Sequence, residues 1–144
     1  MGQQQLLLLV LSTVIVGLAT VAGIQAFSEN QAQASQDALV QKATTIAADI
    51  QGLDGKPSQL GGIDVANGAD ASDIRKKLGY DQNPVKVESA GSKGRCNISP
   101  GGDNVKINCA SANAPENLQV TYDPDGDPKV SSTFGSPGSV TSLP

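Results

Sequence analysis

The chain has 144 residues, with 10 lysine and arginine residues against 14 aspartate and glutamate residues and a formal net charge of −4. It has no histidine, which removes the commonest general base and the commonest metal-binding side chain. No run of basic residues suggests a nucleic-acid surface. No glycine-rich phosphate loop follows a predicted strand, and no cysteine stands beside a base. We therefore expect a protein that is not an enzyme and needs no cofactor.

The chain begins with a long stretch that carries no charge. Glu29 is the first acidic residue and Lys42 the first basic one. Residues 6–27 are mostly leucine, valine, isoleucine and small residues, and as a helix these roughly 22 residues rise about 33 Å. That length matches the hydrocarbon core of a bilayer, about 30 Å thick. Apolar residues surround the whole helix, which is typical of a helix in lipid or in the interior of a helix bundle.

A signal peptide and a permanent membrane anchor are the two other interpretations of this stretch. A cleaved signal peptide normally has lysine or arginine at its start and a shorter apolar run, whereas three glutamines stand here, Gln3 to Gln5. A permanent membrane anchor explains the length but not the spaced small residues. These include Thr13-x-x-x-Gly17 and Ala19-x-x-x-Gly23, a spacing that lets helices approach closely. Thr13, Gly17, Ala19 and Gly23 are therefore predicted to be helix-packing residues.

The helical pattern continues beyond the apolar stretch. No proline or glycine interrupts residues 28–51, and five apolar residues recur at steps of four, three, four and three. The sequence predicts one continuous helix over about residues 4–51, roughly 70 Å long, with an apolar first half and an amphipathic second half. The predicted stripe consists of Leu39, Ala43, Ile46, Ile50 and Leu53.

The remainder of the chain reads as a small globular domain. Residues 52–70 are rich in glycine, proline, asparagine and aspartate, which predicts a loop. Residues 70–79 predict a short helix that Asp70 or Ser72 can cap and Gly79 ends. From Val85 onward, alternating apolar residues predict strands.

The clearest hairpin is GRCNISPGGDNVKINCAS. A two-residue turn at Gly102 and Asp103 places Cys96 opposite Cys109, and Ile98 opposite Ile107. Turn chemistry and cysteine spacing therefore agree on one register and predict a disulfide, which closes a loop of about 14 residues and contributes roughly 3 kcal/mol. The alternative is a pair of unbridged buried thiols.

A second hairpin is predicted from NLQVTY and PKVSSTF, which flank DPDGDP. Asp123, Asp125 and Asp127 could offer oxygen ligands to calcium, although an EF-hand needs a longer loop and a distant glutamate. Aspartate, proline and glycine are also the common residues of turns, and we favour a plain turn. The tail GSPGSVTSLP is polar and is predicted to be exposed.

The predicted fold class is α+β, with a long N-terminal helix packed on a small antiparallel sheet that carries one disulfide. The predicted division is a helical rod over residues 1–52 and a β-rich domain over residues 53–144. This architecture resembles that of the type IV pilins. The stretch VAGIQAFSENQAQASQ is similar to the pilin region in which the apolar helix leaves the membrane through an aromatic residue into a polar helix.

The sequence departs from the pilin pattern in three places. No basic leader precedes the apolar stretch, so either Met1 is the mature start or Gly2 closes a minimal leader. With Met1 as the start, Gln5 stands where pilins carry a glutamate, and its amide accepts a hydrogen bond from a neighbouring N-terminus more weakly than a carboxylate. The resemblance therefore adds Gln5 to the predicted helix-packing residues. Many pilins have a proline in the lower helix, where this chain has Gly17 and Gly23.

The resemblance implies a structural subunit that polymerises through its apolar helix into an extracellular type IV pilus-like filament used for adhesion, motility or uptake. It implies identical subunits and an inner-membrane assembly machinery as partners, with storage in the cytoplasmic membrane before assembly. Two alternatives stay open: a minor pseudopilin of a secretion system, and a membrane-anchored binding module on the cell surface.

Overall fold

A computed structural model of the chain describes residues 2–135. The predicted polar tail lies outside the described residues, except for its first glycine. Two helices and five strands make up the described fold, and two short 3₁₀ turns, Ser58–Leu60 and Glu88–Ala90, lie between them. The elements are α1 (Gly2–Asp54), α2 (Ala71–Lys77), β1 (Val85–Lys86), β2 (Arg95–Pro100), β3 (Val105–Ala110), β4 (Asn117–Tyr122) and β5 (Val130–Gly135). The α+β prediction is confirmed.

Helix α1 is continuous in hydrogen bonding from Gly2 to Asp54, a few residues longer at each end than predicted. Neither Gly17 nor Gly23 interrupts it. By its internal contacts the chain forms two compact units, of which the first ends at Ala32 and the second begins at Gln33. The second unit therefore contains the last part of α1 together with α2 and all five strands.

The last part of α1 packs into the hydrophobic core of the second unit. Four of the five residues in the predicted apolar stripe are fully buried, and Leu53 is partly buried. The helix also buries Ala47 and the polar Ser35, which the stripe did not include. Helical periodicity therefore identified the buried face, because residues three and four positions apart lie on the same side of a helix. The buried stripe residues are Leu39, Ala43, Ile46 and Ile50.

The five strands form one antiparallel sheet in the order β1-β2-β3-β4-β5. Each strand thus pairs with its neighbours in the chain, as consecutive hairpins do. Alternate residues of β2 and β4 are buried, which leaves the opposite face of these strands toward solvent. β5 has no buried residue and forms one edge of the sheet.

The hairpin between β2 and β3 has the register that the sequence predicted. Cys96 pairs with Cys109, and Ile98 pairs with Ile107. The Gly101 amide donates to the Asn104 carbonyl at 2.7 Å, which closes a turn around residues 102 and 103. Gly102 has φ of 88°, whereas Asp103 is not among the residues with positive φ. Glycine with positive φ at the first central position is the pattern of a type II′ turn, whose twist matches the flanking strands.

The predicted disulfide between Cys96 and Cys109 is present. The two cysteines are 13 residues apart in sequence, and both are buried in the hydrophobic core. The bridge joins two neighbouring strands on the face of the sheet that packs inward. It therefore closes a short loop in the unfolded chain and stabilises the folded domain. This matters because Tyr122 is the one aromatic residue among the fully buried side chains of the described core.

The short helix α2 is ended by the glycine that the sequence indicated. The Gly79 amide donates to the Lys76 carbonyl and the Tyr80 amide donates to the Arg75 carbonyl, while Gly79 has φ of 79°. This is the Schellman arrangement at a helix C-terminus. At the other end Asp70 occupies the capping position, but its side chain makes no capping hydrogen bond.

One polar contact joins the end of α1 to the sheet. The Tyr122 hydroxyl donates to Asp54 Oδ2 at 2.9 Å, and the Val65 amide donates to Asp54 Oδ1 at 3.0 Å. Burial raises the pKa of Tyr122 to about 12, and the hydrogen bond to Asp54 and the charges of Asp54 and Asp123 act in the same direction. The carboxylate thus holds a backbone amide and a strand side chain at the point where the helix ends.

This contact predicts a stability loss at high pH. Between pH 10 and about 12 the unfolded chain releases the Tyr122 proton while the folded chain retains it, so the free energy of unfolding falls as pH rises. Tyr122→Phe should lack that fall and lower stability at pH 7 by about 1–3 kcal/mol. Denaturant unfolding of the full chain in neutral detergent measures both effects. Identical pH dependence of the two proteins would contradict the assignment.

The disulfide predicts a second stability change. Replacing both Cys96 and Cys109 by alanine should lower the free energy of unfolding by about 3 kcal/mol, because the unfolded chain regains the entropy that the closed loop had removed. Reductant should lower the stability of the parent chain by a similar amount and leave the double variant unchanged. A parent chain whose unfolding midpoint is insensitive to reductant would contradict this prediction.

Candidate functional site in helix α1

The apolar segment, residues 6–27 of α1, has no buried residue. Exposure of its large apolar side chains ranges from 49 % at Val10 to 71 % at Phe27. A contiguous apolar surface of this size marks a site of contact with a membrane or with other proteins. The helix is long and apolar enough to cross a membrane. The large side chains are Leu6, Leu7, Leu8, Leu9, Val10, Leu11, Val14, Ile15, Val16, Leu18, Val21, Ile24 and Phe27.

The two threonine hydroxyls of the apolar segment are satisfied within the helix. Thr13 Oγ1 donates to the Val10 carbonyl and Thr20 Oγ1 donates to the Val16 carbonyl, each at 2.8 Å. A hydroxyl without a partner is costly in an apolar environment, whereas one that bonds to its own helix needs no water. These two threonines therefore allow the segment to enter lipid or a protein interior.

The two glycines of the segment make room for no neighbouring atom of residues 2–135. A Cβ added at Gly17 or Gly23 would meet no atom within 4 Å, and neither glycine has a positive φ. Glycine in the interior of a helix costs about 0.5–1 kcal/mol relative to alanine. Within residues 2–135 no contact at either glycine offsets this cost. Close approach of a second helix is the kind of contact that the missing side chains permit.

The predicted helix-packing residues fall on two stripes of the helix surface. At 3.6 residues per turn, Thr13 and Gly17 lie about 40° apart and form one stripe. Gln5, Ala19 and Gly23 lie within about 40° of one another and form a second stripe, roughly 120° around the helix from the first. The structure thus presents two narrow faces, and two such faces allow one helix to contact two neighbours. The packing role of these residues stays a prediction.

Gln5 lies in the first turn of α1, where its side chain is exposed and has no hydrogen-bond partner among the described residues. The first turn has no acidic residue. A neutral amide can enter an apolar environment at far lower cost than a carboxylate, since burial of an unpaired charge is much more unfavourable. Gln5 therefore provides hydrogen-bonding capacity at the helix start without a formal charge.

The aspartate turn between β4 and β5 was the sequence-predicted candidate for calcium. The Asp123 carboxylate accepts a hydrogen bond from the Asp125 amide at 3.1 Å, and the Asp123 carbonyl accepts one from the Gly126 amide. These are the bonds of a plain turn. Within residues 2–135 no three acidic, cysteine or histidine side chains gather into a group that could hold a metal ion. The structure does not bring Asp123, Asp125 and Asp127 together as ligands.

The fold is consistent with that of a pilin, since a long apolar N-terminal helix precedes a small antiparallel sheet with one disulfide. No family model, curated protein or solved structure matches the chain.

Proposed function

We propose that the protein is a structural subunit that polymerises through the apolar segment into an extracellular type IV pilus-like filament. The observation that carries this proposal is the pair of helix-interior glycines that no contact with another described residue requires. They lie in the exposed, uncharged apolar segment, on two stripes that suit contact with neighbouring helices. A filament core built from identical helices would supply those neighbours.

The chemistry of the segment suits transfer from a membrane to such a core. Both environments exclude water, so the apolar surface stays out of water before and after transfer and the hydrophobic free energy changes little. The threonine hydroxyls keep their bonds within the helix in either place. The cytoplasmic membrane would hold the subunit before assembly, and an inner-membrane assembly machinery would extract it.

The second unit fits the role of the outer part of a filament. All hydrophobic core residues of the described chain lie at Leu39 or later, so its core takes no residue from the apolar segment. The sheet covers this core, and the disulfide links two of its strands. Such a domain could remain folded in the membrane-stored subunit and in the filament. Adhesion, motility and uptake are the roles that we propose for the filament.

One observation also suits a different function. A single helix able to cross a membrane is equally consistent with a membrane-anchored surface binding module. A minor pseudopilin of a secretion system would share the filament chemistry but form only short assemblies. The anchored module leaves the two glycines without a partner, and for that reason we place it second. Abundance separates the major subunit from the minor one, because a filament consumes many copies.

The proposal is tested on material sheared from the cell surface. We expect thin helical fibres in cryo-electron micrographs, and mass spectrometry should find this chain as their main protein. The N-terminal peptide would show whether the mature chain starts at Met1 or Gln3. A chain that stays in the membrane fraction and is absent from every sheared fibre would contradict the filament function.

Substitution of Gly17 tests close packing directly. Gly17→Leu should abolish fibres, because the added side chain keeps neighbouring helices apart, while the protein should remain in the membrane at its normal level. The matched control is Ala22→Leu, which adds similar bulk about 140° around the helix from Gly17 and should still allow fibres. Electron microscopy and membrane fractionation measure both. Normal fibres from Gly17→Leu would count against helix packing at this stripe.

A further inference from the structure

The second unit contains a groove that no part of the filament proposal uses. Its volume is about 630 Å³, within the range typical of small-molecule sites. Residues from α2, from β1, from the start of β2 and from the loops between them line it. These elements are separated in sequence, so the groove exists only in the folded domain.

Basic residues outnumber acidic residues in the lining of this groove. It is lined by four of the chain's 10 basic residues and by one acidic residue, Glu88, although the chain as a whole has a net charge of −4. The four are Arg75, Lys86, Lys93 and Arg95, which include both arginines of the chain. Such a local excess of one charge in a concave surface raises the local concentration of oppositely charged ligands.

Three of these basic groups have hydrogen-bonding capacity that the protein does not use. The side chains of Lys86 and Lys93 are exposed, and neither forms a hydrogen bond or ion pair with another described residue. Arg75 Nε is buried and has no hydrogen-bond partner. Buried polar atoms are nearly always paired, so the Arg75 guanidinium keeps a donor that the described protein does not satisfy.

Hydrogen bonds within the protein fix the shape of the groove in the absence of a ligand. The Asn83 side chain accepts a hydrogen bond from the Ile98 amide at 3.1 Å and donates one to the Ile98 carbonyl at 3.2 Å. The Val87 amide donates to the Gly94 carbonyl at 2.8 Å. Lys93, with φ of 64°, is the one non-glycine residue in the described chain with a positive φ. The tightly held loop thus presents this lysine in a conformation that side-chain-bearing residues rarely adopt.

We propose that this groove binds a small ligand that carries two or more oxyanion groups, such as phosphate, sulfate or carboxylate. Guanidinium and ammonium groups bind such oxygens by charge-assisted hydrogen bonds, and arginine can do so with two parallel bonds. None of the described residues that line the groove is aromatic, so recognition rests on charge and not on stacking against a nucleobase or sugar ring. The site lies in the second unit and does not depend on polymerisation.

The test is calorimetric titration of the full chain in neutral detergent at low ionic strength, where screening is weak. Pyrophosphate, ethylene glycol bis-sulfate and citrate, each with at least two oxyanion groups, are titrated separately, which distinguishes phosphate, sulfate and carboxylate chemistry. We expect saturable binding of at least one of them at one site per chain. Lys86→Gln combined with Lys93→Gln should weaken that binding by about tenfold or more.

Two further variants keep the test specific. Lys106→Gln combined with Lys129→Gln removes the same charge from exposed positions outside the groove and should bind like the parent chain. Arg75→Gln removes the arginine charge from the groove and should weaken binding, as the paired lysine variant does. The proposal is overturned if none of the three anions binds at millimolar concentration. It is equally overturned if the groove variant and the control variant bind alike.

Discussion

Packing of the last part of α1 against the inner face of the sheet is the interaction on which the folded domain depends. Leu39, Ala43, Ile46 and Ile50 lie in one core with the inward side chains of β2, β3 and β4. The apolar face of the sheet and the apolar stripe of the helix must pack against each other, because only then are both removed from water. The Asp54–Tyr122 hydrogen bond and the disulfide are added to this contact, one where the helix ends and one across two strands.

The same helix has opposite surface chemistry at its two ends. Its later part buries a stripe within its own chain, whereas residues 6–27 are apolar on all sides and bury nothing. Exposure of such an apolar surface to water is unfavourable, so a membrane or neighbouring protein must cover it. The internal hydrogen bonds of Thr13 and Thr20 and the absence of charge before Glu29 suit a dry environment. Membrane storage and filament assembly are proposed as two such environments.

The basic groove adds a different kind of site to the proposed subunit. Polymerisation would use the apolar segment, while the groove offers charge on the domain that a filament would present to solvent. The two sites share no residue and rest on different forces, since one excludes water and the other exchanges water for ionic hydrogen bonds. A repeating fibre would display one such groove on every subunit.

Local patterns in the sequence determined the elements and the hairpin register. The stripe in α1 follows from helical periodicity, and the pairing of Cys96 with Cys109 follows from a turn centred on Gly102 and Asp103, because both depend on neighbours in the chain. The remaining contacts arise from tertiary packing. It joined Asp54 to Tyr122, and it brought Arg75 into the same groove as Lys86 and Arg95. The basic residues between positions 75 and 95 form no recognisable motif, since their proximity comes from how α2, β1 and β2 pack and not from their spacing in the sequence.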